Sequence, residues 1–418
     1  MIHPTRKCAS TLLLLCTALF LCSCSLLEIR DQTETVEKTI TFKGSVDVAI
    51  DTDARVYAAL LYVDAGTARW VGEFGIGRSG RFQFYALPGD YAIAAFADEN
   101  GDKIYQFEEP ATYAADADGK PRIFTVGGGE KIKLDPIVLE GPLDNVSQYN
   151  VVPELSKATQ NIGVQATLDD AIFSDDYAAM GMWRPLDFLG EVGGGLFMLQ
   201  PFSPDKTPVI FVHGINGDPR NFREVVAGLD TERFQPWVFY YPSGVRLNMA
   251  SDFLVKAVNQ LEVQHGFDHF FVVAHSMGGL MARSFVKGYY ESDHTADLAF
   301  FMTINSPIGG LGSARQGVEH SPIVVPAWRD LATGSDFIQE MEQWQWPDET
   351  PYHLVFSYQD GDASDGLVAL ESQLPRYLQQ QAIRLYGYNA GHASILREPQ
   401  FVSDLNEILI GGLDALGR

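Results

Sequence analysis

The chain is poor in cysteine. Of its 418 residues only Cys8, Cys16, Cys22 and Cys24 are cysteines, and all four lie at the N-terminal end. No disulfide can therefore staple the body of the protein, even in an oxidising compartment. Basic residues are also scarce: 30 Lys and Arg stand against 54 Asp and Glu, a net charge of -24. Such a surface repels polyanions, which excludes nucleic acid as a partner. Long apolar runs are few. The run at the start, Ala9 to Leu21, lacks any charge but is shorter than a full bilayer span. What remains is the composition of a folded globular protein, 46% apolar and 20% charged. Its length implies two domains with accessory segments.

The apolar run follows Arg6 and Lys7 and ends on Leu21-Cys22-Ser23-Cys24. A positive start, a short apolar stretch and a small-residue stop are the parts of an export signal, assigned here to residues 1–23. A Leu three places before a Cys, with Ser23 directly before it, resembles the lipobox of bacterial lipoproteins. That resemblance implies that Cys24 becomes the first mature residue and carries lipid. Cys22 departs from the usual second lipobox position, and Ser25 resembles the outer-membrane sorting preference. Left uncleaved, Cys8 to Leu27 is just long enough to span a bilayer. Either way the body lies outside the cytoplasm, on a membrane anchor, and the expected location is the outer membrane.

Residues 24–38, a polar stretch after the Cys, read as a tether. From 39 to 141 short alternating segments are broken by turns. Arg81 to Tyr85 alternates, Leu87-Pro88-Gly89-Asp90 is a tight turn, Tyr91 to Ala97 is a strand, and Lys131 to Leu139 reads as the last strand. This predicts a small antiparallel sandwich. Gly80, Phe82, Phe84, Leu87, Pro88, Gly89 and Tyr91 resemble a hairpin of carboxypeptidase-regulatory or transthyretin-like sandwiches, which are usually accessory domains. Within this region Asp98, Asn100 and Asp102 alternate, and Glu109 stands twelfth from Asp98, the oxygen-ligand places of a calcium loop. Lys103 occupies the sixth place, where such a loop needs Gly. A solvated polar turn is the favoured reading, and no metal is assigned.

Residues 142–206 form a connector expected to wrap onto the second domain and give it a first strand or two. From Thr207 apolar strands alternate with amphipathic helices. Val209–Val212, Trp237–Tyr241, Phe270–Ala274, Leu298–Ile304 and His353–Tyr358 are the strands; 219–229, 250–265 and 278–290 are helices. The pattern predicts a parallel sheet covered on both faces, with chemistry at the carboxyl ends of its strands.

Two motifs sit at such ends. Ala274-His275-Ser276-Met277-Gly278-Gly279 follows a strand and opens a helix, so Ser276 falls on a sharp turn between small neighbours. His213-Gly214-Ile215 ends the earlier strand. Together with Thr303-Ile304-Asn305-Ser306-Pro307, Gly309-Gly310 and the stretch Leu331 to Phe337, these resemble α/β-hydrolase lipases, a broad group including triacylglycerol lipases and GPI-inositol-deacylase-like proteins. Ala274 departs from the group's usual first glycine. The resemblance covers residues 207–398 and implies a serine esterase or lipase of α/β class.

It also implies roles. Ser276 is the nucleophile, the backbone N–H groups of Ile215 and Met277 are oxyanion donors, and His213, Gly214 and Gly278 are structural. The group's order is nucleophile, acid, base. Of nine His only His392 follows the acidic loop 360–365, so it becomes the base. Asp365, in Ser364-Asp365-Gly366-Leu367-Val368, best matches the acid, with Asp360 and Asp362 as alternatives. The chemistry is acyl transfer through an acyl-enzyme and needs no cofactor. Residues 308–346 are the expected lid, with Phe337, Ile338, Met341 and Trp344 on one helical face, either lining an acyl pocket or packing on the sheet. An acyltransferase, thioesterase or amidase would look the same. An inert anchored binding protein would be expected to have lost one of the three residues.

Overall fold

Among the described residues the strands form three sheets. The computed structural model describes residues 26–417 apart from 66, 78, 102–104, 107, 142–149, 153–159 and 293. The export segment 1–23, the lipidation candidate Cys24 and the calcium candidate Asp102 lie outside the described residues.

The first half supplies β1 (Ile40–Val48), β2 (Arg55–Asp64), β3 (Thr67–Ile76), β4 (Arg81–Ala86), β5 (Gly89–Asp98), β6 (Ala111–Tyr113), β7 (Phe124–Val126), β8 (Lys131–Lys133), β9 (Ile137–Leu139) and β10 (Asn150–Val152). They fall into two sheets, β4-β1-β8 with β9 also on β1, and β10-β3-β2-β5-β6 with β7 also on β5. Side chains alternate across each strand. In β4, Phe82, Phe84 and Ala86 enter the core between the sheets, while Gln83 and Tyr85 point out. The segment 131–139 is two strands, because Pro136 has no N–H for a ladder and interrupts it. β8, β9 and β10 also pair parallel with their neighbours, where an all-antiparallel sandwich was expected. Each arrives over a long connection, which permits the parallel direction that a tight hairpin forbids.

The second half supplies β11 (Gly195–Met198), β12 (Thr207–Val212), β13 (Phe234–Tyr240), β14 (His269–His275), β15 (Asp297–Ile304), β16 (Tyr352–Tyr358) and β17 (Arg384–Asn389). Their order is β11-β13-β12-β14-β15-β16-β17; β11 is antiparallel and every other pair is parallel. All residues of β12 and β13 are buried, as a sheet covered on both faces requires. Ile210 and Val212 pack under the helices Leu247–His265 and Met277–Tyr290, whereas Val209 and Phe211 face the C-terminal helix Pro399–Ala415. Each such side chain removed from water contributes about 1.5–3 kcal/mol.

The two halves touch through the Leu247–His265 helix. Asp252 accepts hydrogen bonds from Tyr85 and, at 2.6 Å, from Gln83, the two outward side chains of β4. Burial raises the carboxyl pKa of Asp252. Lys256 pairs with buried Glu73 at 3.3 Å.

Residues 26–37, read from sequence as a tether, are instead helical. Ile29, Thr33 and Val36, spaced i, i+4 and i+7, make one face, and Thr33 and Val36 are buried. The expected lid region holds three helices, Gly312–His320, Pro326–Leu331 and Asp336–Gln343. Here Ile338 and Met341 are buried, and Phe337 and Trp344 pack against the core that holds Ile338. Trp346 lies 4.8 Å from both Phe301 and Tyr352, ring centre to ring centre. Ile338, Phe337 and Trp344 thus join the hydrophobic core of the hydrolase half.

Candidate active site

Three loops at the carboxyl ends of β12, β14 and β16–β17 converge on Ser276. The β14 turn is tight: Ser276 has φ +56° and ψ -132°, a conformation a residue with a Cβ rarely adopts. Its N–H donates to the Ile304 carbonyl at 2.9 Å, and its own carbonyl accepts from Gly279 N–H at 3.0 Å. Glycine is required around it by space. A Cβ on Gly278 would lie 2.4 Å from the His213 carbonyl oxygen, and one on Gly214 would lie 2.8 Å from Ser276 Cβ. The Met277–Tyr290 helix begins directly behind the serine, so its first amides, Met277 N–H included, lack intrahelical acceptors and carry partial positive charge.

His213 is not part of a proton relay. It is fully buried, its Nδ1 donates to the Gly214 carbonyl at 2.8 Å, and its Nε2 accepts from Tyr241 N–H at 3.4 Å. Burial drives its pKa down to about 4. Tyr241 OH donates to the His213 carbonyl at 2.9 Å and completes the support of this loop. Asn216, at φ +52°, donates its N–H to Ser243 Oγ at 2.9 Å. Ile215, between these two fixed residues, is half-buried next to the serine loop.

His392 Nε2 lies 2.8 Å from Ser276 Oγ, and His392 Nδ1 lies 2.7 Å from Asp365 Oδ2. Asp365 is almost fully buried. Its Oδ1 accepts the N–H groups of Leu367 at 2.9 Å and Val368 at 2.7 Å. The His392 N–H donates to the Asp365 carbonyl at 2.9 Å, tying the two loops together. An ionised Asp365 fixes the proton on Nδ1 and leaves the Nε2 lone pair facing the serine hydroxyl. The arrangement can take a proton from Ser276 and hold the resulting imidazolium. Asp360 and Asp362, the alternative acids, are exposed on the same loop and make no bond to His392 among the described residues.

Two side chains outside the sequence-derived set also reach His392. Asn305 Nδ2 and His275 Nε2 both hydrogen-bond its main-chain carbonyl, at 3.1 and 2.8 Å. Both are buried, and burial lowers the His275 pKa to about 3, so it stays neutral. No local pattern marks either as functional, since each sits inside a motif read for its neighbours. Positive φ marks Asn305 but not His275. Among the described non-glycine residues Ala65, Asn216, Ser276 and Asn305 have it, and three of these surround the site.

The calcium candidates lie elsewhere, at the end of β5. Asp98 Oδ1 accepts Gly101 N–H at 2.8 Å, and the Glu109 carboxylate accepts the N–H groups of Glu99 and Gln106 at 2.9 Å each. Asn100 Nδ2 bonds Gln106 Oε1 at 3.2 Å. These oxygens brace a turn.

The family model described as "Alpha/beta hydrolase of unknown function (DUF915)" matches residues 245–410, a span that includes Ser276, Asp365 and His392. The fold is that of an α/β-hydrolase. Bacillus licheniformis lipase BlEst2 in mature form is similar at 18% identity and a TM-score of 0.41, over 52% of this chain and 97% of that one. A thermophilic esterase from Thermogutta terrifontis gives 15% and 0.36, over 49% and 90%. The product of the gene lin2722 from Listeria innocua gives 16% and 0.37, over 48% and 92%. No curated protein matches the sequence. The α/β-hydrolase sheet and its helices occupy residues 195–415, and the all-β region precedes them.

Proposed function

We propose that the protein is a serine hydrolase of carboxylic esters. The observation that carries this reading is the unbroken chain from Asp365 Oδ2 through His392 to Ser276 Oγ, with bonds of 2.7 and 2.8 Å. In this reading His392 takes the Ser276 proton as the oxygen attacks the ester carbonyl. The Ile215 and Met277 N–H groups stabilise the tetrahedral oxyanion, a contribution of about 10²–10³-fold per donor. The alkoxide leaves with the proton from His392, and water then releases the acid from the acyl-enzyme by the same steps. Asp365, held by two amides, keeps the imidazole in one orientation and supports its cation. An acyltransferase, thioesterase or amidase would use the same groups and differ in the acceptor or leaving group.

The N-terminal sequence adds a location. Leu21-Cys22-Ser23-Cys24 supports lipidation at Cys24 and an exported, membrane-anchored enzyme, in outer-membrane context by Ser25. No described helix is long and apolar enough to cross a membrane.

The test is hydrolysis of p-nitrophenyl esters from acetate to palmitate by the chain from residue 24, beside Ser276→Ala. Turnover that disappears in the variant supports the reading, and the chain-length profile separates esterase from lipase. No turnover of any ester, with no labelling by a fluorophosphonate, favours a binding protein on a hydrolase fold.

A further inference from the structure

The hydrolase sheet ends on an open edge. β17 pairs with β16 on one side, and no described strand lies on its other side. Alternation along the strands fixes which groups face out. The Val355 carbonyl accepts Asn305 N–H from the β15 side, and the Tyr358 carbonyl accepts Ala390 N–H from the β17 side. Odd residues of β16 therefore point at β15 and even ones at β17. In β17 the even residues share the direction of Ala390 and face β16. The N–H and C=O groups of Leu385, Gly387 and Asn389 are thereby turned outward. No described loop covers them with a main-chain hydrogen bond.

The edge is apolar as well as open. Ile383 and Leu385 are 60% and 43% exposed, whereas every residue of β12 and β13 is buried. Such an edge is a template for another strand, and natural sheets guard it with charge when it is to stay free. The charge that dominates this chain is missing here. Between Glu371 and Glu398 there is no Asp or Glu, although the net charge is -24. Arg384 is exposed at the start of β17. At the other end Asn389 pairs with Tyr358, and the turn 359–362 that follows Tyr358 exposes Asp360 and Asp362. The edge is positive at its start and negative beside its end, so it complements itself when turned antiparallel.

We propose that this edge binds a second copy of this chain, paired antiparallel through β17 about a twofold axis at Gly387. That register sets Leu385 against Asn389 of the second copy, so the outward N–H and C=O groups satisfy one another. Glycine on the axis leaves no side chain between the two backbones. Tyr386 then faces Tyr388 of the second copy, an aromatic cross-strand pair that the symmetry forms twice. Both rings are half-buried and already held: the Tyr386 hydroxyl bonds His353 Nδ1 at 3.0 Å, and the Tyr388 hydroxyl donates to Asp404 at 2.9 Å. Arg384 falls opposite Ala390 of the second copy, beside the turn that carries its Asp360 and Asp362. The two seven-stranded sheets become one, and neither β17 edge stays free.

The test is sedimentation of the chain from residue 24 at micromolar concentration, with Cys24→Ser to remove its one thiol. Twice the chain mass is expected, and a monomer overturns the proposal. Leu385→Lys, a charge on an exposed edge position, should yield a monomer with the wild-type far-ultraviolet circular dichroism. A dimer that persists in this variant is built on another surface and also overturns it. Charge reversal keeps the test decisive if that variant fails to fold. Arg384→Glu, and separately Asp360→Arg with Asp362→Arg, should each weaken dimerisation about tenfold or more. Mixing the two variants pairs each reversed charge with its opposite and should restore the wild-type dissociation constant. A mixture that associates no better than either variant alone overturns the antiparallel β17 pairing. None of these readouts depends on whether the protein cleaves an ester.

Discussion

Asn305 Nδ2 donates to the main-chain carbonyl of His392 at 3.1 Å from a backbone held at φ +49°. Asn305 directly follows β15, the strand next to the serine strand β14, so this bond ties the histidine loop to the sheet that carries Ser276. Asn305→Ala should leave KM for p-nitrophenyl butyrate unchanged and lower kcat about tenfold, because His392 loses its fixed position and not its chemistry. A fall in thermal stability with kcat intact would show a merely structural role.

Asp365→Asn keeps the shape of the acid but offers His392 an amide. The imidazole then loses the partner that fixes its proton on Nδ1 and stabilises its cation. Turnover should fall about 10³–10⁴-fold with the fold retained, as kinetics and circular dichroism together would read.

Gly278→Ala tests the space behind the serine. Its new Cβ would meet the carbonyl oxygens of His213 and Val212 at 2.4 and 2.6 Å, both backbone atoms that cannot turn aside. A loss of about 1–3 kcal/mol is expected, read as a lower Tm or as insoluble expression. A Tm equal to wild type would mean that the two loops separate freely.

Buried histidines set an acid limit. His213 and His353 are pushed down to about 4 and His275 to about 3, each chiefly by burial. An unfolded histidine takes up its proton near pH 6.5, so between about 6.5 and 4 the unfolded chain holds protons that the folded chain refuses. Stability is undiminished above that window and falls as pH drops through it. Tm measured from pH 7.5 to 4.5 should decline, less steeply in His353→Phe, which keeps the stacking on Phe300 and removes one such group. A parallel slope in the variant would remove His353 from this account.

Much of the hydrolase half was legible because burial on both sheet faces writes itself as apolar runs. Val209–Val212 and Phe270–Ala274 can be little else, and the glycines beside Ser276 announce crowding. The first half was less legible. Pro136 splits one expected strand, and parallel pairing after long connections leaves no local mark. Residues 26–37 misled because a helix whose buried face is only Ile29, Thr33 and Val36 looks polar in sequence. Asn305 and His275 escaped notice because each acts through the main chain of His392, which only the folded chain brings near.

The most direct test of the central claim is the site of reaction with a fluorophosphonate. Intact mass should show one adduct per chain, and peptide mapping should put it on Ser276, with none in Ser276→Ala. Labelling at another residue, or labelling that persists in Ser276→Ala, would contradict Ser276 as the nucleophile.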